Sequence, residues 1–220
     1  MKAVLFDLDN TLIDFMRMKN ISCEAAISAM IDAGLALDKE KAHKILFDLY
    51  GVHGIEHQEI FQEFLKQVTG KIDFKILSRG INAYRKMQIG YLEPYPHVRS
   101  TLIALKEKGL VLGIVSDAPK LKAWMRLTEM GLSDFFDVVV TLDDTGKRKP
   151  SKMPFKAAIR ELKFRPEEIL FVGDNPARDI EGAKSVGMKT ALAKYGQIFP
   201  DTKLKADYEL RDISELKKIF

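Results

Sequence analysis

The sequence predicts an α/β protein: a doubly wound parallel sheet with helices on both faces, interrupted by an all-helical insertion. Short continuous apolar runs alternate with amphipathic stretches over the C-terminal part of the chain. That alternation is absent between residues 15 and 92. Acidic side chains follow directly on the ends of apolar runs far apart in sequence.

The first run, Ala3-Val4-Leu5-Phe6, is followed by Asp7-Leu8-Asp9-Asn10-Thr11. Further runs occupy 110–115, 136–141, 169–173 and, more weakly, 188–193. Each is short and rich in Val, Ile, Leu or Phe, as strands buried on both faces require. Gly113 inside one of them signals close packing rather than a dinucleotide loop. Between the runs lie helical patterns. Val98, Leu102 and Leu105 share a face over 97–108, Pro119 can open a helix reaching Gly131, and helices are also expected over 154–163 and 176–186. Such alternation specifies a doubly wound sheet.

Residues 15–92 show helical periods at 22–33, 38–49, 56–68 and 73–89, separated by Gly34, Gly51 and Gly70. This stretch is expected to form a helical domain inserted into a core made of 1–14 and 93–220. Glu93-Pro94-Tyr95-Pro96 is a stiff return linker, because each proline fixes its own φ and restrains its predecessor. Asp14–Arg17 is expected to be the outgoing linker. Cys23 reads as packing. His53-Gly54-Ile55-Glu56-His57 spells an inverted zinc-protease motif, but Gly51 and Gly54 argue against the helix it needs. A loop with exposed histidines is expected there instead.

Composition narrows the function classes. A net charge of +4, with Lys and Glu interspersed, lacks the basic stripe of a nucleic-acid binder. No run of apolar residues is long enough for a membrane span. The first apolar run starts at residue 3, leaving no room for a signal peptide, and the single cysteine cannot form an internal disulfide. A cytoplasmic protein without membrane or nucleic-acid partners is expected. Asn is confined to positions 10, 20, 82 and 175 while 30% of residues are charged, which leans towards a thermophilic source.

Ligands of open α/β sheets bind beyond the carboxyl ends of the strands. The candidates there are Asp7, Asp9 and Thr11 after the first run, Ser116-Asp117 after the second, Lys149 ahead of a helix, and Asp174 and Asp179 after 169–173. Two carboxylates at i and i+2 disfavour joint ionisation, and a cation removes that cost. Each residue has a plainer reading. Asp9 could cap a helix, Ser116 could cap the helix after Pro119, Lys147 and Lys152 compete with Lys149, and Asp179 could pair with Arg178 or Lys184 on a helix face.

Taken in order, these segments resemble the motifs of the haloacid dehalogenase superfamily of aspartate-nucleophile hydrolases. Asp7-Leu8-Asp9-Asn10-Thr11 is similar to its first motif, Ser116 to the second, Lys149-Pro150 to the third, and Gly173-Asp174 with Asp179 to the fourth. The resemblance implies a Rossmann-like core with an inserted all-helical cap. It also implies a phosphatase in which Asp7 is the nucleophile and Asp9 the acid and base, with Mg²⁺ held by Asp7, Asp174 and the main-chain carbonyl of Asp9. Asp179 would orient the metal's surroundings, while Ser116, the amide of Asp117, Thr11 and Lys149 would hold the phosphoryl group. Arg17 is a candidate contact for the leaving group. The substrate expected is a small phosphorylated metabolite, handled by a monomer or homodimer. A phosphomutase or a non-catalytic phosphate-binding module are the alternatives. The presence of Asp9 and Asp174 favours phosphoryl chemistry over dehalogenation, since a halide leaves without a proton.

Overall fold

The computed structural model describes residues 1–220. They form two compact units, Met1–Phe15 together with Leu92–Phe220, and Met16–Tyr91.

The first unit is built on a six-stranded sheet with the order β3-β2-β1-β4-β5-β6. The strands are β1 Ala3–Phe6, β2 Val111–Val115, β3 Val138–Val140, β4 Ile169–Gly173, β5 Lys189–Ala193 and β6 Tyr208–Leu210, and every pairing is parallel. This is the doubly wound, Rossmann-like order, in which the chain runs outward from β1 in one direction and then in the other. All residues of β1 and β4 are buried, which is why both read as unbroken apolar runs. At Gly113 a Cβ would stand 2.6 Å from Leu5 Cδ2 and 2.9 Å from the Val138 carbonyl, so β2 admits only glycine there.

Helices α5 Val98–Glu107, α6 Lys120–Glu129, α7 Leu142–Thr145, α8 Lys152–Leu162 and α9 Glu181–Lys184 belong to this unit. Phe155 and Ala158 of α8 pack with Leu5 and Phe171 of the sheet. The register sets Phe6 beside Ile114 and Val172. Asp7, Ser116 and Asp174 therefore leave adjacent strands at one edge of the sheet. The outgoing and returning segments also meet: Tyr95 N donates to Leu12 O at 2.8 Å, and Ile13 bridges Pro94.

The second unit comprises α1 Phe15–Asp32, which begins at the boundary, with α2 Lys39–His53, α3 Ile60–Thr69 and α4 Phe74–Tyr91. Its core is formed by side chains such as Ile27, Met30, Leu46 and Phe64, all closed to solvent. Cys23 is part of that core, as its helical setting predicts. No helix of the structure is long and apolar enough to cross a membrane.

Several sequence expectations are corrected. Asp14–Arg17 is not a linker, because α1 starts at Phe15. Phe15 and Met18 extend the buried stripe of Ile27 and Met30 towards the N-terminus, and neither proline nor glycine interrupts it. Helix α2 runs through Gly51 to His53 before Gly54, at φ 91°, ends it. His57 lies beyond that end and stacks on His53 at 4.8 Å, so the two do not share a helical face. The helix expected over 176–186 is instead a wide π-type turn, Pro176–Ile180, followed by the short α9. The Asn175 side-chain Oδ1 accepts from the Arg178 amide and caps the turn, and the Asn175 main-chain carbonyl accepts from the amides of Asp179 and Ile180. Strand β6 has only Leu210 buried, so it carries no apolar run to announce it.

Candidate active site

Asp7 stands one residue past β1, its amide tied to Val172 O at 2.8 Å. Its side chain is 2% exposed, and Oδ1 accepts from the Leu8 amide. Asp174 follows β4 and is closed to solvent, as is Asp179 on the π-type turn. Carboxylate oxygens of Asp7, Asp174 and Asp179 all lie within 4.8 Å of one another. The tight turn folds Asp179 back so that its Oδ2 accepts from the Asn175 amide at 3.0 Å.

Two cations enter this acidic cluster. Lys149 Nζ lies 2.8 Å from Asp7 Oδ1 and 2.8 Å from Asp179 Oδ1, and it donates to Val115 O at 2.9 Å. Its own amide donates to Asp117 Oδ1, which anchors the loop carrying it to the end of β2. Lys147 is exposed and Lys152 begins α8 at the surface, so Lys149 is the lysine of the cluster. Arg178 Nη2 donates to Asp7 Oδ2, and lies 3.4 Å from Asp174 Oδ1 and 3.2 Å from Asp179 Oδ2. Its Nε is 3.8 Å from Asp117 Oδ2.

Burial and mutual repulsion shape the titration of the cluster. Burial pushes Asp7 up to about 6; Lys149 and Arg178 pull it back while Asp179 adds to the rise. Asp174 is pushed to about 8 by burial and then by the charges of Asp7 and Asp179. Asp179 resists its burial, because Lys149 and Arg178 hold it below the usual carboxylate range. Burial disfavours charge on Lys149, yet Asp179 and Asp7 hold its pKa above the ordinary lysine value.

The donor set fits a hard divalent cation. Oδ2 of Asp174 is buried with no hydrogen-bond partner, an arrangement that is costly unless a cation completes it. Clustered carboxylate oxygens without nitrogen or sulfur ligands suit Mg²⁺-type chemistry.

The remaining candidates divide. Thr11 Oγ1 donates to Asp174 Oδ1 at 3.5 Å, and Tyr195 Oη fixes the Thr11 carbonyl at 2.8 Å. Ser116 is buried beside the cluster's strand end, its Oγ accepting from the Ala118 amide. Asp9 is not one of the three acids whose oxygens gather within 4.8 Å. Its Oδ1 and Oδ2 accept from Arg126 Nη1 at 3.0 and 2.8 Å. Arg17 is exposed on α1, in the helical unit.

The sequence reading gave no role to Arg126 and Tyr195, and treated Arg178 only as a surface partner of Asp179. Arg126 had a signal: it lies on the α6 face that buries Ala123 and Leu127, where a cation needs a partner. Arg178 and Tyr195 had none: a polar residue in an expected helix over 176–186 reads as surface, and Tyr195 lies in a turn.

A family model described as haloacid dehalogenase-like hydrolase matches residues 4–193. The chain belongs to the haloacid dehalogenase-like hydrolases. Among members of this family, it is 37% identical to the glyceraldehyde 3-phosphate phosphatase of Methanocaldococcus jannaschii over 99% of this chain and 96% of that protein. It is 32% identical to the phosphoglycolate phosphatase of Aquifex aeolicus, over 100% of this chain and 96% of the other. The crystal structure of a HAD phosphatase from Thermococcus onnurineus superposes with a TM-score of 0.71 at 31% identity, covering 100% of this chain and 97% of that one.

Proposed function

We propose that this haloacid dehalogenase-like hydrolase is a Mg²⁺-dependent phosphatase that cleaves a small phosphate monoester through an aspartyl-phosphate on Asp7. The convergence of Asp7, Asp174, Asp179 and Lys149 from distant segments onto one solvent-shielded point carries this reading.

In the first half-reaction a carboxylate oxygen of Asp7 attacks phosphorus, the bond to the ester oxygen breaks, and Asp9 gives that oxygen its proton. In the second, Asp9 takes a proton from water, the hydroxide attacks the phosphorus, and the bond to Asp7 breaks, releasing inorganic phosphate. Mg²⁺ held by Asp7, Asp174 and the Asp9 carbonyl would neutralise charge on the phosphoryl group. Lys149 keeps Asp7 oriented and adds positive charge where equatorial oxygens gain negative charge. The Ser116 hydroxyl, whose oxygen already accepts from Ala118, retains its proton to donate to a phosphoryl oxygen. The Asp117 amide and Thr11 complete that set, and Asp179 acts by holding Lys149 and Arg178 in place.

Glyceraldehyde 3-phosphate, the substrate named for the M. jannaschii relative, is the proposed substrate, with Arg17 as the proposed contact for its non-phosphate end. The compact unit Met1–Phe15 with Leu92–Phe220 is the proposed catalytic core and Met16–Tyr91 the proposed cap. A reducing, cytoplasmic setting suits the lone buried Cys23.

The test is release of phosphate from a panel of three-carbon and sugar phosphates with added Mg²⁺. Glyceraldehyde 3-phosphate is expected to lead the panel, and Asp7→Asn to lose turnover on every ester. Turnover that persists in Asp7→Asn rules out the nucleophile. An isomerised sugar phosphate among the products marks a mutase instead.

A further inference from the structure

We propose that Arg126 is a positioning residue for Asp9, holding its carboxylate as the base that takes the water proton when the Asp7 phosphoester is hydrolysed. This rests on the phosphatase reading above. Arg126 is 5% exposed, although an arginine seldom enters an interior without a dedicated partner. Its Nη1 sits astride the two Asp9 oxygens, at 3.0 and 2.8 Å. The guanidinium carbon lies 4.4 Å from the centre of the Phe15 ring, which supports the flat group from one side. Neighbouring α6 residues Ala123 and Leu127 are closed to solvent, so the side chain is held by packing as well as by charge.

Asp9 needs such support. It stands three residues beyond the end of β1, ahead of Asn10 at φ 58°, in a turn whose amides at Leu12 and Ile13 return to the Leu8 carbonyl. Those bonds fix the main chain of the turn, and Arg126 reaches the carboxylate itself. Asp7 is held in its turn by Lys149, Arg178 and the Leu8 amide. Charge-assisted bonds from Arg126 Nη1 tether both oxygens of Asp9 to one point.

The consequence falls on one half-reaction more than the other. An aryl phosphate with a good leaving group transfers its phosphoryl group to Asp7 without proton donation. Hydrolysis of the resulting phosphoenzyme still requires removal of a water proton: the O–H bond breaks, the proton passes to Asp9, the new oxygen–phosphorus bond forms, and Asp7 departs with its electron pair. A misplaced Asp9 therefore stalls the second step after the first has occurred.

The experiment uses the full-length protein, Mg²⁺ and p-nitrophenyl phosphate in rapid mixing. The wild type is expected to release nitrophenolate without a large burst. Arg126→Met is expected to give a burst approaching one equivalent per active site, followed by steady turnover slowed about 10- to 100-fold, with KM falling in step so that kcat/KM, set by the first step, changes by less than about threefold. Acid quench traps the phosphate on Asp7. Asp9→Asn should show the same burst, and Arg126→Met combined with Asp9→Asn should be no slower than Asp9→Asn alone. Where Arg126→Met fails to fold by circular dichroism, Arg126→Lys carries the test and is expected to show the burst in milder form. The proposal is overturned by a folded Arg126→Met that turns over like wild type, by slowing without a burst, by losses that multiply in the double variant, or by an Arg126→Lys of wild-type behaviour beside an unfolded Arg126→Met. No wild-type turnover on any phosphate ester overturns the phosphatase reading itself, and this inference with it.

Discussion

Lys149 and Asp179 form an ion pair at 2.8 Å in which neither side chain reaches solvent. The same ammonium lies 2.8 Å from Asp7, so a single cation holds two carboxylates of the cluster at once. Removing one partner of a buried pair leaves the other charge uncompensated, a larger loss than the pair's net worth. Lys149→Met should therefore cost about 3–5 kcal/mol and abolish phosphatase turnover. Adding Asp179→Asn to that variant should restore part of the stability and none of the activity. Urea unfolding of the two variants measures this, and a Lys149→Met protein as stable as wild type contradicts it.

At Gly173 the cluster depends on the absence of a side chain. A Cβ there would come 2.5 Å from the Asp179 Cβ, 2.7 Å from its Cγ and 2.8 Å from its Oδ2. Gly173 ends β4 immediately before Asp174, so neither it nor the folded-back turn can move without dragging an acid of the cluster. Gly173→Ala is expected to destabilise by about 1–3 kcal/mol, as overpacked sites do. It should also weaken Mg²⁺ binding, read by titration calorimetry. Unchanged affinity would mean that Asp179 has room to yield.

These two positions show what the sequence could and could not reveal. Continuous apolar runs at β1, β2 and β4 disclose a two-sided parallel sheet, and such sheets gather their strand ends. Asp7, Ser116 and Asp174 were thus legible as neighbours, and Lys149 as their cation. Arg178 was not, because over an expected helix at 176–186 a charged side chain beside Asp179 reads as a surface partner. Its insertion among the acids follows from the π-type turn, whose extra residue escapes any helical period. The start of α1 was misplaced for a related reason: Asp9 to Thr11 look like the opening of a loop, yet the apolar stripe already includes Phe15. The Asp9–Arg126 contact joins residues 117 positions apart, beyond the reach of local pattern.

The acidic cluster should couple metal binding to pH. Asp7 and Asp174 carry pKa values raised by burial to about 6 and about 8, so both retain protons where ordinary aspartates have lost them. A cation binds the ionised forms and must displace those protons. Mg²⁺ affinity should rise with pH up to about 8 and then level, by roughly tenfold per unit for each proton displaced. For stability the sign follows from the same shifts. Raised carboxyls favour the metal-free fold at low pH, and this contribution is lost as pH climbs through 6 to 8. The gain in thermal midpoint on adding Mg²⁺ should therefore be larger at about pH 8.5 than at about pH 5.5, on either side of that interval. Arg178 touches Asp7, Asp174 and Asp179 and so competes with the metal. Arg178→Met should lower the metal-free midpoint at high pH and enlarge the shift produced by Mg²⁺. A smaller shift than wild type would show that Arg178 assists the cation.

The helical unit offers an independent reporter in Cys23. The thiol is closed to solvent, and burial pushes its pKa up to about 11 against the pull of Lys19 and the hydrogen bond of Tyr50. At pH 8 only about one thiol in a thousand would be thiolate, the reactive form, even if a reagent could reach it. Raising the pH increases that fraction without opening the core around Ile27 and Phe64. Labelling by an aromatic disulfide should consequently be negligible in the native protein at pH 8 and complete in denaturant. The native rate should follow the frequency with which α1 to α4 separate, since that is the step that admits the reagent. Cys23→Ala should cost about 1 kcal/mol through the small void it leaves, and turnover should be unaffected. Rapid stoichiometric labelling of the folded protein would instead mean that this core opens readily.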